Sequence, residues 1–157
     1  EQLYSPLVVI ATPALEVLRE LGKGCVTRPT ARHYLGFANG RRKRLAEPEP
    51  TVKHLLYAYR VLLTGIHLMQ TGEVVANLPV LNERFRDPVV EERMARKRAG
   101  AEYMLLGEHE LADHVKRLAG LDEELQRAQE ASQLPEEPTT AAALDAFVVD
   151  LRLRAAV

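Results

Sequence analysis

The stretch Thr51-Val52-Lys53-His54-Leu55-Leu56-Tyr57-Ala58-Tyr59-Arg60-Val61-Leu62-Leu63-Thr64-Gly65-Ile66-His67-Leu68-Met69-Gln70-Thr71-Gly72 decides the fold class. Val52, Leu55, Leu56, Tyr59, Leu62, Leu63, Ile66 and Met69 recur every three or four residues, which gathers them on one broad helical face. Thr51 supplies a capping hydroxyl and Gly72 a terminator, so the spacing predicts a central helix over 51–71. Gly65 lies inside it at a propensity cost of about 1 kcal/mol relative to alanine, which points to close packing by another backbone.

The flanks read the same way. Thr12-Pro13 caps a first helix near 13–21 with Leu15, Leu18 and Leu21 as its stripe. A second helix begins near Pro29 and turns Tyr34, Leu35 and Phe37 inward; Arg41-Arg42-Lys43-Arg44 either extends it or leads into a loop. Glu47-Pro48-Glu49-Pro50 is a stiff linker in which helix cannot continue. After a less regular stretch over 73–86, Asp87-Pro88 starts a charged helix that runs to about Gly100, with acids early and Arg96, Lys97 and Arg98 late, as the helix dipole favours. Leu111, Val115, Leu118, Leu121 and Leu125 mark a long amphipathic helix from Glu108 to about Ser132, which Gly120 bends or breaks. A second proline linker follows, and Thr139 or Thr140 caps a last helix with Leu144, Phe147, Val148 and Leu151 inward. The expectation is an all-α, multi-helix, bundle-like domain spanning 1–157, with at most one short N-terminal strand in the β-branched run Leu7 to Ile10.

The 157 residues are enough chain for one core, and 21 Lys and Arg against 22 Asp and Glu give a net charge of -1, so overall charge argues for no polyanionic partner. A single cysteine, Cys25, excludes an internal disulfide and fits a reducing, cytoplasmic setting. No apolar run has the length of a membrane span, and no signal-like segment opens the chain. The chain starts at Glu1 without methionine, as a fragment or a processed product does.

Charge is uneven, however. Lys23, Arg28, Arg32, Arg41, Arg42, Lys43, Arg44, Lys53 and Arg60 face only Glu47 and Glu49 over their span. On the polar side of the central helix, Lys53, Tyr57, Arg60, Thr64 and His67 follow one another by four, three, four and three residues, forming one stripe. Two cations and two hydroxyls on a rigid helix suit successive phosphates of a nucleotide; an ordinary solvated helix face has the same spacing. The five histidines lack metal-ligand spacing, and Glu110 with His114 reads as a surface hydrogen-bonded pair. Serine-nucleophile, phosphate-loop and dinucleotide fingerprints are missing.

The segment from Lys53 to Val74 also resembles a family: the C-terminal helical part of nucleotidyltransferases of the DNA polymerase β superfamily, the group that includes a polymerase-like protein linked to RNA repair. The shared pattern is a lysine, a Tyr-Arg pair, a Leu-x-x-Gly step and a closing Thr-Gly-Glu-Val. It continues upstream through Leu3-Tyr4-Ser5-Pro6-Leu7-Val8-Val9 and Ala31-Arg32-His33-Tyr34-Leu35-Gly36-Phe37-Ala38, and downstream through Asn77-Leu78-Pro79 and Leu81-Asn82-Glu83. The resemblance covers most of residues 1 to about 100.

It implies transfer of a nucleoside monophosphate from a nucleoside triphosphate to an acceptor such as RNA, with Mg2+ ions held by strand carboxylates. It also implies that Lys53, Tyr57 and Arg60, followed by Thr64 and His67, contact the triphosphate. The family's Gly-Ser pair and Asp-x-Asp are absent from this sequence, so no catalytic residue and no metal ligand is assigned here, and by analogy a catalytic half precedes Glu1. The rival readings are a non-catalytic nucleic-acid-binding module using the basic region from Arg28 to Arg60, and a dimerisation module using the stripe of 108–132.

Overall fold

The computed structural model describes residues 2–100 and 104–155. Its centre is the helix expected from the 51–71 periodicity, α3 (Val52–Thr71). Thr51 caps it reciprocally: its hydroxyl accepts from the His54 backbone N–H at 3.3 Å, and its own N–H donates to His54 Nδ1 at 3.4 Å. Gly72 stops it in the left-handed region at φ 76, where a side chain would be strained, and its N–H donates to the Leu68 carbonyl.

From Val61 to Met69 every residue of α3 is buried, so the helix is enclosed on all sides. The helices α2 (Ala31–Leu45) and α6 (Glu108–Ala131) flank it and touch each other, and α4 (Leu78–Phe85) with α5 (Pro88–Ala99) close the remaining side. The core joins Tyr34 and Ala38 of α2, Tyr59, Leu62, Leu63 and Ile66 of α3, Leu81 and Val90 from α4 and α5, and Leu118 and Leu125 of α6. Each large apolar side chain fully withdrawn from water contributes about 1.5–3 kcal/mol. Gly65 sits where α2 and α6 converge: a Cβ there would lie 2.9 Å from Tyr34 Cβ and 3.0 Å from Leu125 Cδ2. The glycine therefore serves the close approach of neighbouring side chains, not of another backbone. The Arg42 guanidinium donates to Asp122, tying α2 to α6.

At the periphery, α1 (Pro13–Lys23) and α7 (Ala141–Ala155) pack on one another. The Thr139 N–H donates to the Gly24 carbonyl at 2.9 Å, and the Thr140 hydroxyl to the Leu21 carbonyl at 2.6 Å. Leu144, Phe147, Val148 and Leu151 are half-buried in this pairing, and α1 contributes no fully buried residue.

All of the described residues outside turns and linkers are helical, in agreement with the all-α expectation, and no strand occurs among them. Leu7, Val8, Val9 and Ile10 form no strand and are exposed. The nearest approach to sheet is one antiparallel bridge, in which the Val52 N–H donates to Met104 O and the Leu106 N–H to Pro50 O, both at 2.9 Å. It fastens the linker before α3 to the segment before α6. Three local expectations are corrected. The irregular 73–86 stretch contains α4, α6 runs through Gly120 unbroken, and Phe37 points outward with about half its surface exposed. No helix among the described residues is long and apolar enough to cross a membrane.

Candidate functional site

Three helices converge on one cavity of about 290 Å³. The first half of α3 contributes Lys53, Leu56, Tyr57 and Arg60, the first turn of α4 contributes Leu78 and Pro79, and the last half of α5 contributes Met94, Lys97 and Arg98. Local chemistry sets this meeting. Asn77 caps α4 by accepting from the Val80 N–H, and Pro79 occupies its second position, where a missing N–H costs nothing. Asp87 caps α5 by accepting from the N–H groups of Val89 and Val90 at 2.9 and 3.3 Å. The turn between them is locked because Asn82 accepts from the Asp87 N–H at 3.0 Å and donates to the Asp87 carbonyl at 3.2 Å. Arg117 of α6 then grips the other Asp87 oxygen at 2.6 Å, holding α5 to the bundle.

The floor of the cavity is apolar (Leu56, Leu78, Pro79 and Met94) and its rim is cationic (Lys53, Arg60, Lys97 and Arg98). Tyr57 stands at the edge. The Arg60 guanidinium lies 4.9 Å from its ring centroid, and Arg41 reaches from α2 to 5.9 Å. Nearby His54 is held below the usual imidazole range, first by burial and then by Arg44, Arg41 and Lys53. Arg98 is paired to Glu91 of its own helix at 3.1 Å, an exposed contact that a stronger anion can displace. Floor and rim together suit a ligand with an apolar, flat part and more than one negative charge.

The five-residue stripe read from the spacing is divided by the fold. Lys53, Tyr57 and Arg60 come together on the cavity, whereas Thr64 and His67 are buried and do not line it. Among the described residues, Thr64 Oγ1 and both ring nitrogens of His67 find no hydrogen-bond partner. Burial holds the His67 imidazole below its usual range, with Arg84 acting in the same direction. The expected solvent-facing stripe thus ends at Arg60, because α4 and the chain leading to it cover the following turns.

Lys97 and Arg98 escaped the sequence reading, which saw in them only favourable charges at a helix C-terminus. The available signal was the Arg96-Lys97-Arg98 run, but nothing in the spacing said that α5 would bring it back to α3. Glu110 and His114 do not form their expected surface pair. Instead Glu110 accepts from Arg93 and Arg96 at 3.1 and 2.9 Å, and His114, buried, shares a 2.9 Å hydrogen bond with the Tyr59 hydroxyl. Most of the α6 stripe is spent inside the molecule: Leu118 and Leu125 are fully buried and Leu111 and Leu121 pack against the core, whereas Val115 is exposed.

Among the described residues, no three His, Cys, Asp or Glu side chains gather as a metal ion would require, and the cavity itself is walled by cations. The Mg2+ implied by the resemblance does not fit these residues, and no step through it is derived from them.

A family model described as RlaP, the RNA repair pathway DNA polymerase beta family, matches residues 1–150, extending well beyond the segments that carried the resemblance. No curated protein and no solved structure matches the chain. With nearly the whole sequence matched, from the turns before α1 through most of α7, the chain belongs to the RNA repair pathway DNA polymerase beta family.

Proposed function

We propose that this chain is the helical, nucleotide-contacting portion of a nucleotidyltransferase that moves a nucleoside monophosphate from a nucleoside triphosphate to an RNA acceptor. The observation that carries the reading is the convergence of Lys53, Tyr57 and Arg60 with Lys97 and Arg98 around one apolar-floored cavity, in a chain of this family. The flat base rests on Leu56, Leu78, Pro79 and Met94, and the phosphates meet the rim. There arginine offers paired donors to phosphate oxygens and lysine a point charge. Cations held in place before the reaction offset the charge that develops on the departing pyrophosphate. The carboxylates that hold metal belong, in this proposal, to a catalytic half that precedes Glu1, since the sequence has neither Gly-Ser nor Asp-x-Asp.

The test is nucleoside triphosphate affinity, measured in the natural polypeptide that carries this chain. Lys53→Gln and Arg60→Gln should each weaken it about 10-fold, near 1.5 kcal/mol, as expected for one lost charge-assisted contact. Helicity by circular dichroism should not change. Unchanged affinity in both variants refutes the assignment.

A further inference from the structure

The outward face of α2 presents a ladder that the cavity does not use. His33, Phe37 and Arg41 follow at four-residue steps, so they stand one above another on a single side of the helix. The rings of His33 and Phe37 are in contact, with centroids 4.7 Å apart. Phe37 has 49% of its surface exposed, and the adjacent surface is open, since a Cβ at Gly36 or Gly40 would meet nothing within 4 Å. One turn beyond, Arg41 lies over the Tyr57 ring, and Arg60 takes the other position near that ring at the edge of the cavity. Aromatic, aromatic, cation, aromatic and cation therefore succeed one another from the first turn of α2 to the cavity.

A single exposed aromatic is ordinary on a protein surface. Here the charge around it points to one kind of partner. Along its length α2 carries Arg32, Arg41, Arg42, Lys43 and Arg44 and no carboxylate. Of these, Arg42 is engaged by Asp122 and Arg44 by Glu47, leaving Arg32, Arg41 and Lys43 to set the field beside the two rings. Cations that alternate with accessible ring faces match a strand whose phosphates and unpaired bases alternate in the same way. A duplex hides its base faces and has no use for Phe37.

From this ladder we infer that the outer face of α2, through His33, Phe37 and Arg41, is the track on which a single-stranded RNA acceptor lies as its end reaches the cavity. The choice of RNA rests on the proposed function; the preference for a single strand rests on the ladder itself.

The experiment measures fluorescence anisotropy of a labelled oligouridylate of about 12 nucleotides, a length within the reach of one binding surface. The whole chain is compared with its Phe37→Ala and Phe37→Trp variants. Phe37→Ala should weaken binding about 5- to 150-fold, the effect of losing one stacked base. Phe37→Trp, which restores a ring, should bind as the parent does. Affinity should fall roughly 20-fold between about 50 and 200 mM salt if about three phosphates are held. The proposal is overturned if Phe37→Ala binds as tightly as the parent, or if an RNA duplex binds as tightly as the single strand. Equal affinity for the same sequence as DNA overturns the assignment to RNA.

Triphosphate affinity separates the two readings. A Phe37→Ala effect on RNA alongside unchanged triphosphate binding in both Lys53→Gln and Arg60→Gln sinks the cavity assignment alone. The reverse pattern sinks the track alone.

Discussion

Replacing Gly65 by alanine sets two effects of similar size against each other. An alanine inside α3 gains about 1 kcal/mol of helix propensity. Its methyl group, however, would stand 2.9 Å from Tyr34 Cβ and 3.0 Å from Leu125 Cδ2, where about 3.5–4.0 Å is comfortable. Tyr34 Cβ is the first atom of its side chain, so no rotamer change removes the clash. The backbone of α2 has to retreat by roughly 0.6–1 Å, loosening the packed layer of Tyr34 and Ala38. Overpacking of this kind costs about 1–3 kcal/mol, which leaves a net loss of about 1 kcal/mol and a fall in melting temperature of about 2–4 °C. Gly120 of α6 supplies the internal control. A Cβ there meets nothing within 4 Å, so Gly120→Ala keeps the propensity gain and should raise stability by about 0.5–1 kcal/mol. Urea unfolding followed by circular dichroism reads both variants. If Gly65→Ala stabilises the protein as much as Gly120→Ala, the account of how α2, α3 and α6 pack is wrong.

Two further outcomes concern the buried polar groups. Tyr59→Phe removes the partner of His114 Nδ1 inside the core and should cost about 1–3 kcal/mol in the same urea assay; a cost near zero would show that the bond contributes nothing. Stability should also depend on pH at both ends. Burial holds the imidazoles of His54, His67 and His114 below their usual value, so as pH falls below about 6.5 the unfolded chain takes up protons that the folded chain refuses. Folding stability is therefore complete above that pH and lost on acidification, and His67→Leu should flatten the slope. At the alkaline end the Tyr59 phenol is pushed up to about 12 by burial, so stability should decline above about pH 10, where the unfolded phenol ionises first. A stability profile without slope between pH 7 and 5 in the parent chain contradicts the acid half.

The elements legible in the sequence were those whose information is local. The α3 helix announces itself through eight apolar positions in register, a capping threonine and a terminating glycine, all within one window. Helix α4 was missed because eight residues make only about two turns, too few for a period to stand out, and because its signals, Asn77 and Pro79, also occur in loops. Phe37 was misplaced because hydrophobicity votes for burial while helical geometry puts it to the side of Tyr34 and Leu35, beyond the reach of α3 and α6. At the cavity the same distinction holds. Lys53, Tyr57 and Arg60 share one helix and were found together, whereas Lys97 and Arg98 reach them only through the α4–α5 turn, a tertiary fact. Thr64 and His67 looked solvated for the converse reason: their own helix leaves them polar company, and the covering comes from a segment later in the chain.

The pairing of α1 with α7 has a consequence for how the molecule opens. With no fully buried residue in α1, and with Thr139 and Thr140 as hydrogen-bonding links to it, separating these two helices exposes little of the apolar surface that holds the bundle together. The protein accordingly has two tiers of cooperativity. Amides of α1 and α7 should exchange with solvent through a shallow, subglobal opening, and those of α3 only when the whole chain unfolds, which native-state hydrogen exchange reads directly. Displacing the outer pair should therefore leave undisturbed the helix that carries Lys53, Tyr57 and Arg60.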